Sequence, residues 1–460
     1  MTKEMRKTTK EKTASSGGST NAVNARELAL DILYEILEKG GYSHVVLNQA
    51  LSKYQYLEKQ DRAFVTRVTE GTLEYLIQID YVLNQFSKTK VNKMKPLIRT
   101  LLRMSVYQIL HMDRIPDSAV CNEAVKLAEK RRFQGLKGFV NGVLRNISRQ
   151  KENIVFPDDS VRYSMPEWLL SHWKQSYDDG TIEKMMEYFL SDQPVTVRCN
   201  FNRAGKQEIV ESLKGQGVTV TESPYADGIL HLEKLDYLEA LDAFRSGWIQ
   251  VQDLSSSLVG LAAAPKKGDL VLDVCGAPGG KSLHIADLLA GTGHVEVRDI
   301  SDYKVSLIEE NIERSGFQNI TASVWDALEL DEEWVEKADI VIADLPCSGL
   351  GIIGKKPDIK QKMEPESLRK LAQLQREMLS VVHQYVKPGG ILVYSTCTID
   401  RQENEENVAW FLEQYPFKPV NMEGRLGEKL QSDTMKQGYI QILPGVYPCD
   451  GFFISVLQRV

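Results

Sequence analysis

The chain has 460 residues, 42% apolar and 26% charged, with a formal net charge of −7. That composition excludes a wholly disordered or collagen-like chain and suits two to four globular domains. No apolar run reaches the roughly 18 residues of a membrane span, the first twenty residues lack the apolar stretch of a secretory leader, and the six cysteines include no CxxC pair.

These features predict a reducing, cytoplasmic protein with no metal, no membrane partner and a monomeric state. The charge is uneven. Residues 1–150 carry 25 Lys and Arg against 15 Asp and Glu, and the remaining 310 carry 31 against 48. A basic first part beside an acidic second part suggests an anionic partner for the first.

Residues 1–20 read as a disordered basic tail. From 21 to 150 helical periodicity dominates. Leu28, Ile32, Leu33, Ile36 and Leu37 form an apolar stripe that Gly40-Gly41 ends. Further helices are predicted at 60–75, 76–86, 95–112, 117–131 and 135–148. Lys130, Arg131, Arg132, Lys137 and Arg145 cluster near the end of this part and are the best candidates for a phosphate-facing surface. Residues 151–247 read as a small α+β linking domain, with a helix in MPEWLLSHWKQSY, a strand in PVTVRCNF, a helix in RAGKQEIVESLKGQG, and strands in VTVTESP and GILHLEK.

From 248 to 460, apolar strand-like runs at 270–275, 294–299, 320–325, 339–344 and 390–396 alternate with helical stretches at 281–290, 302–315, 366–386 and 403–414. Continuous apolar strands separated by helices predict a doubly wound α/β sheet buried on both faces. YIQILP and GFFISVLQ predict a hairpin-like end.

The first of these strands runs into Cys275-Gly276-Ala277-Pro278-Gly279-Gly280-Lys281-Ser282. This is one residue from the phosphate-loop pattern GxxxxGK[ST], with cysteine at the first glycine, and DIVIAD could pass for a second nucleotide-binding strand. A nucleoside triphosphatase is therefore weighed. The alternative is a nucleoside cofactor without phosphates, S-adenosylmethionine. It needs a close glycine-rich turn and an acid near the end of the second strand for the ribose hydroxyls. Asp299 stands there, and Asp326, after the third strand, is placed for the adenine.

Cys347 follows the fourth strand in Asp344-Leu345-Pro346-Cys347-Ser348, and Cys397 follows the fifth in Tyr394-Ser395-Thr396-Cys397-Thr398. Neighbouring parallel strands present their carboxyl ends to one crevice, so Asp344, Cys347 and Cys397 are expected to meet beside the cofactor. A thiolate, a carboxylic acid and a sulfonium methyl donor suit one reaction. The thiolate adds to carbon 6 of cytosine, the acid supports the charge at N3, and the activated carbon 5 takes the methyl group. A reversible disulfide is the competing use of the pair.

VLDVCGAPGGKS, DLPCSGLG, LAQLQREML, YSTCTI and PCDGFF resemble the RNA cytosine-5 methyltransferases of the RsmB (Fmu or Sun) type. The resemblance implies a NusB-like RNA-binding helical domain at 21–150, the small linking domain at 151–247 and a Rossmann-like class I S-adenosylmethionine-dependent domain at 248–460. It implies methylation of a cytidine in 16S ribosomal RNA or a small-subunit precursor. It further implies that Cys275 to Lys281, with Asp299, Asp326 and Asp344, bind the cofactor or line the site, that Cys397 is the nucleophile, and that Cys347 serves product release. The chemistry alone would have favoured Cys347 as nucleophile.

Three departures from the family pattern carry expectations of their own. Arg298 stands before the ribose acid, where it would pack outward or alter the cofactor rim. Gly276 stands where alanine is common, which should be tolerated. Lys355 and Lys356 stand in an arginine-rich position and are weaker candidates for RNA contact.

Overall fold

A computed structural model describes residues 23–235 and 237–460. The expected tail at 1–20 lies outside the described residues. Chain contacts divide the protein into two compact units, one of residues up to Thr69 with Asn92–Ser148, the other of Glu70–Val91 with Arg149–Val460.

The first unit is helical. Its opening helix, Ala25–Lys39, begins where the Asn24 side chain accepts the Glu27 N–H at 3.1 Å, and ends at Gly40, whose φ of +80° suits a residue without Cβ. Leu28, Leu30, Ile32, Leu33 and Ile36 are buried, together with Leu101, Leu102 and Val106 from the helix Pro96–His111. Helices Asp117–Lys130 and Lys137–Gln150 bury Val120, Leu127, Val140, Leu144 and Ile147. The helix Ser43–Lys53 was not foreseen; it buries only Ser43 and Leu47, so its sequence lacks a clear stripe.

In the second unit, the helix Leu76–Phe86 is tied to residues far along the chain. Ser164 Oγ accepts the Ile77 N–H at 3.0 Å, and the Gln78 amide donates to Arg162 O at 3.0 Å. A small antiparallel sheet follows, built from β1 (Val195–Cys199), β2 (Thr219–Glu222), β3 (Ile229–Glu233) and β4 (Ile249–Val251), in the order β2-β3-β1-β4. The helix Lys206–Gly215 packs Ile209 and Leu213 onto its inner residues Val197, Leu230 and Ile249. β4 lies past the boundary expected at 247, because its three residues complete this sheet against Val197–Cys199.

The large sheet holds β5 (Leu270–Asp273), β6 (His294–Asp299), β7 (Ile320–Val324), β8 (Ala338–Asp344), β9 (Val386–Thr396), β10 (Phe417–Pro419), β11 (Tyr439–Ile442) and β12 (Phe452–Arg459). Its order is β10-β12-β9-β8-β5-β6-β7, with β11 on β12. β5 to β9 are mutually parallel, whereas β12 runs antiparallel between β9 and β10. Alternate residues of the strands feed two separate cores: Val271, Val297, Ile342 and Val393 face one layer, and Leu272, Val341, Ala343 and Leu392 the other. Burial on both faces is why these strands read as unbroken apolar runs. The chain leaves β5 toward β6 and β7, then returns to the other side of β5 as β8. The order therefore reverses between β5 and β8, and the carboxyl ends there open a crevice.

Candidate active site

The glycine turn follows β5 and leads into the helix Gly280–Leu288, passing a cis Ala277–Pro278 bond and Gly279 at φ +103°. Its amides from Cys275 to Gly279 face inward. Cys275 N–H donates to Asp273 Oδ1 at 3.3 Å, Gly276 N–H to Arg298 O at 2.8 Å, Ala277 N–H to Asp299 Oδ2 at 3.1 Å, and Gly279 N–H to Gly276 O at 2.6 Å. Pro278 has none. A phosphate cradle needs consecutive amides turned outward, so the triphosphatase reading does not fit this turn. Lys281 does not fit it either, because its ammonium donates to Asp344 Oδ2 at 2.6 Å.

Gly276 is tighter than expected. A Cβ there would stand 2.2 Å from Val297 Cγ1 and 3.1 Å from the Asp273 carboxyl, so alanine is not tolerated without movement. Arg298 corrects another expectation. Its side chain does not pack outward; it is buried, paired with Asp331 at 2.6 Å and laid over the Trp325 and Trp334 rings at 4.9 and 5.4 Å, beside Asp326. Only its carbonyl serves the turn.

Asp299 ends β6 with its carboxylate buried. One oxygen accepts from the Ile300 N–H at 2.8 Å and from Lys304 at 2.9 Å, the other from Ala277. Asp326 lies half-buried past β7, capping Leu328 N–H at 2.9 Å. Asp273 is fully buried, bonded to the Ser282 hydroxyl, and burial pushes its carboxyl up to about 6. Burial likewise pushes the Cys275 thiol up, leaving it a neutral wall of the turn.

Across the switch point, Cys347 Sγ and Cys397 Sγ lie 3.3 Å apart, both half-buried. Asp344 stands beside them, its Oδ1 accepting from Ser395 Oγ at 2.9 Å and its Oδ2 from Lys281. Burial alone would lower the Lys281 ammonium, but the charge of Asp344 overrides it and the net direction is upward. The bond to Cys397, followed by burial, pushes the Cys347 thiol well up. The crevice holds a thiol pair, a carboxylate and an ammonium within one side-chain layer, a set suited to nucleophilic catalysis on a planar ring.

Over 445 residues the chain is 37% identical to the "Probable ribosomal RNA small subunit methyltransferase B" of Bacillus subtilis (strain 168), covering 95% of this chain and 99% of that one. The chain belongs to the ribosomal RNA small subunit methyltransferase B family. The family member of Vibrio cholerae (strain N16961) is 32% identical, with 95% and 98% covered. Family descriptions match in three stretches: NusB family at 23–149, the RsmF/B-like ferredoxin-like domain at 165–236, and 16S rRNA methyltransferase RsmB/F at 261–458. The solved structure described as "Crystal Structure of PH0851" is 25% identical with a TM-score of 0.81, covering 95% of this chain and 99% of that one. "The crystal structure of NSun6 from Pyrococcus horikoshii with SFG" is 22% identical with a TM-score of 0.58, over 64% and 98%, and shares the fold. The architecture is thus a NusB-like helical part, a ferredoxin-like part and a Rossmann-like methyltransferase domain with a mixed sheet.

In this family member the expected RNA contacts are partly engaged elsewhere. Lys130 pairs with Glu27 at 2.6 Å, Arg131 with Asp31 at 2.6 Å, Lys137 with Glu129 at 3.0 Å, and Arg145 donates to Asn141 at 2.9 Å. Exposed pairs of this kind contribute about 0–1 kcal/mol, so phosphate can displace them. Arg132 sits in a left-handed turn at φ +67°. Lys355 differs: although its stem is open, its ammonium lies 2.7 Å from both Asp253 and Asp450, which hold the charge well up. It bridges two acidic side chains. Lys356 is half-buried beside it. Among the described residues no helix is long and apolar enough to cross a membrane, and no group of three His, Cys, Asp or Glu is placed to hold a metal.

Three polar residues around the cysteines were missed from sequence. Gln375, Glu403 and Asn404 are fully buried and bond the loops that carry both thiols. Gln375 stood inside LAQLQREML, where only the motif as a whole was legible.

Proposed function

We propose that this chain transfers a methyl group from S-adenosylmethionine to carbon 5 of a cytidine in 16S ribosomal RNA, through a covalent bond between Cys397 and carbon 6. The observation that carries the reading is the thiol pair at 3.3 Å beside the Asp344–Lys281 ion pair. The names of the relatives supply the substrate class.

The turn suits a cofactor without phosphates. The amides of Cys275, Gly276, Ala277 and Gly279 are spent within the protein, and the backbone at Gly276 lies flush against β6. A carboxylate has about four acceptor positions, and Asp299 uses three, leaving capacity for a ribose hydroxyl. Cys275 to Lys281, Asp299, Asp326 and Asp344 would hold the group, which supplies an electrophilic sulfonium methyl when bound.

Cys397 forms the S–C6 bond as a thiolate, and the C5=C6 electron pair shifts so that carbon 5 becomes nucleophilic. Lys281 offers the ring edge a cationic donor that stabilises the negative charge developing there, and Asp344 holds that ammonium and offers an acceptor to the ring's amino group. After methylation the carbon 5 proton leaves to a base, its electron pair restores C5=C6, and the S–C6 pair returns to Cys397. Cys347, still protonated, donates to the departing sulfur. Attack on the ring face requires an unstacked base, as in a loop or a flipped nucleotide.

Incubation with labelled S-adenosylmethionine and unmodified 16S rRNA should place label at carbon 5 of one cytidine, mapped by 5-methylcytosine sequencing. Label in transfer RNA alone would support a tRNA methyltransferase. Absence of label from both would support a non-catalytic RNA-binding assembly factor.

A further inference from the structure

Glu403 and Asn404 are consecutive residues just before the helix Glu405–Gln414, and both are fully buried. Each holds a different cysteine. Glu403 Oε2 accepts from Ser348 N–H at 3.0 Å and from Gln375 Nε2 at 2.9 Å, and Oε1 accepts from the Ser348 hydroxyl. Gln375 Nε2 also donates to Pro346 O at 2.9 Å. The residues on either side of Cys347 are thus fixed through Glu403. Asn404 does the same for Cys397: its Oδ1 accepts from Thr396 Oγ1 at 2.6 Å and its Nδ2 donates to Thr398 O at 3.1 Å. One further bond, Ser348 Oγ with Thr398 Oγ1 at 2.7 Å, joins the two loops.

We propose that the dipeptide Glu403-Asn404 is the jig that sets the two thiols in register, with Glu403 positioning the release cysteine and Asn404 positioning the nucleophile. The proposal rests on the covalent reading above. Neither side chain needs to touch substrate; both act through backbone and hydroxyl groups next to the sulfurs. Among the described residues no ion pair satisfies Glu403, and burial pushes its carboxyl up to about 7. A buried carboxyl without a cation is costly, and its retention here is matched by the three donors it aligns.

The two roles separate experimentally. The full chain is mixed with S-adenosylmethionine and unmodified 16S rRNA and run on a denaturing gel, with Cys347→Ala as the reference for a trapped RNA–protein adduct. Glu403→Ala should accumulate the adduct and lower kcat on the order of a hundredfold, the effect of a misplacement of about 1 Å, with the KM for S-adenosylmethionine unchanged. Glu403→Gln should recover most of the turnover. Its carbonyl keeps the Ser348 and Gln375 donors, and its amino group donates to Ser348 Oγ, which turns its hydrogen to Thr398. Asn404→Ala should lose methylation with no adduct. Where Glu403→Ala does not fold, Ser348→Ala, which removes the hydroxyl bridge, should accumulate a part of the adduct. Loss of methylation without adduct in the Glu403 or Ser348 variants, or adduct in Asn404→Ala, would overturn the assignment. No adduct from Cys347→Ala itself would overturn the covalent reading instead.

Discussion

Replacing Gly276 by alanine adds one methyl group, and the structure says where it goes. Its carbon would lie 2.2 Å from Val297 Cγ1, against an ordinary carbon–carbon contact of about 3.5–4.0 Å. The overlap exceeds an ångström. Val297 is wholly buried in β6, so any shift of its side chain meets the surrounding core, and the Gly276 N–H is held to Arg298 O at 2.8 Å. Overpacking of this size costs about 1–3 kcal/mol. If the turn keeps its place, the cost appears as stability, a fall in Tm of roughly 2–12 °C for a domain of this size. If the turn yields, it appears in cofactor affinity, as a rise in Kd of about 5- to 150-fold. Calorimetry with S-adenosylmethionine and thermal melting together capture both routes. The double variant Gly276→Ala, Val297→Ala opens the space and should recover most of the affinity. A single variant that melts and binds like the parent would refute the packing argument.

Asp344→Asn removes the carboxylate that Lys281 and Ser395 address, and should lower methyl incorporation by on the order of a hundredfold or more; wild-type incorporation would exclude the ion pair from the chemistry. For Glu403, burial raises the folded-state pKa from 4.5 to about 7. The folded chain therefore binds a proton more readily than the unfolded one, and stability falls as pH rises from about 4.5 to 7, by up to about 3 kcal/mol. The Tm advantage of Glu403→Gln should accordingly grow across that window, and a pH-independent difference would contradict it. Treatment with a peroxide should join the two thiols, releasing two waters per peroxide consumed, because their sulfurs need to close only from 3.3 Å to about 2.05 Å. The lost activity should return with a dithiol reductant, and mass spectrometry finding no 347–397 linkage would contradict the geometry.

The sheet was legible because burial on both faces writes itself into sequence as apolar runs. Val271 and Leu272 are both apolar since each faces a different core. The switch point, and with it the meeting of Cys347 and Cys397, followed from parallel strands presenting their ends together. What escaped notice depends on partners distant in sequence. Room for a methyl at Gly276 is decided by Val297, twenty-one residues on in a neighbouring strand. Lys355 reads as a surface charge until Asp253 and Asp450 close on it from either side. Gln375, Glu403 and Asn404 look like solvated helix residues, since nothing local distinguishes a buried carboxyl from an exposed one. β4 and β10, at three residues each, are too short to show alternation.

Which sulfur bonds to the base can be read directly. Purified Cys347→Ala and Cys397→Ala proteins, each given S-adenosylmethionine and unmodified 16S rRNA, are separated from free RNA under denaturing conditions. The account predicts a stable RNA–protein band from Cys347→Ala and none from Cys397→Ala. The opposite pattern, or no band from either, would contradict it.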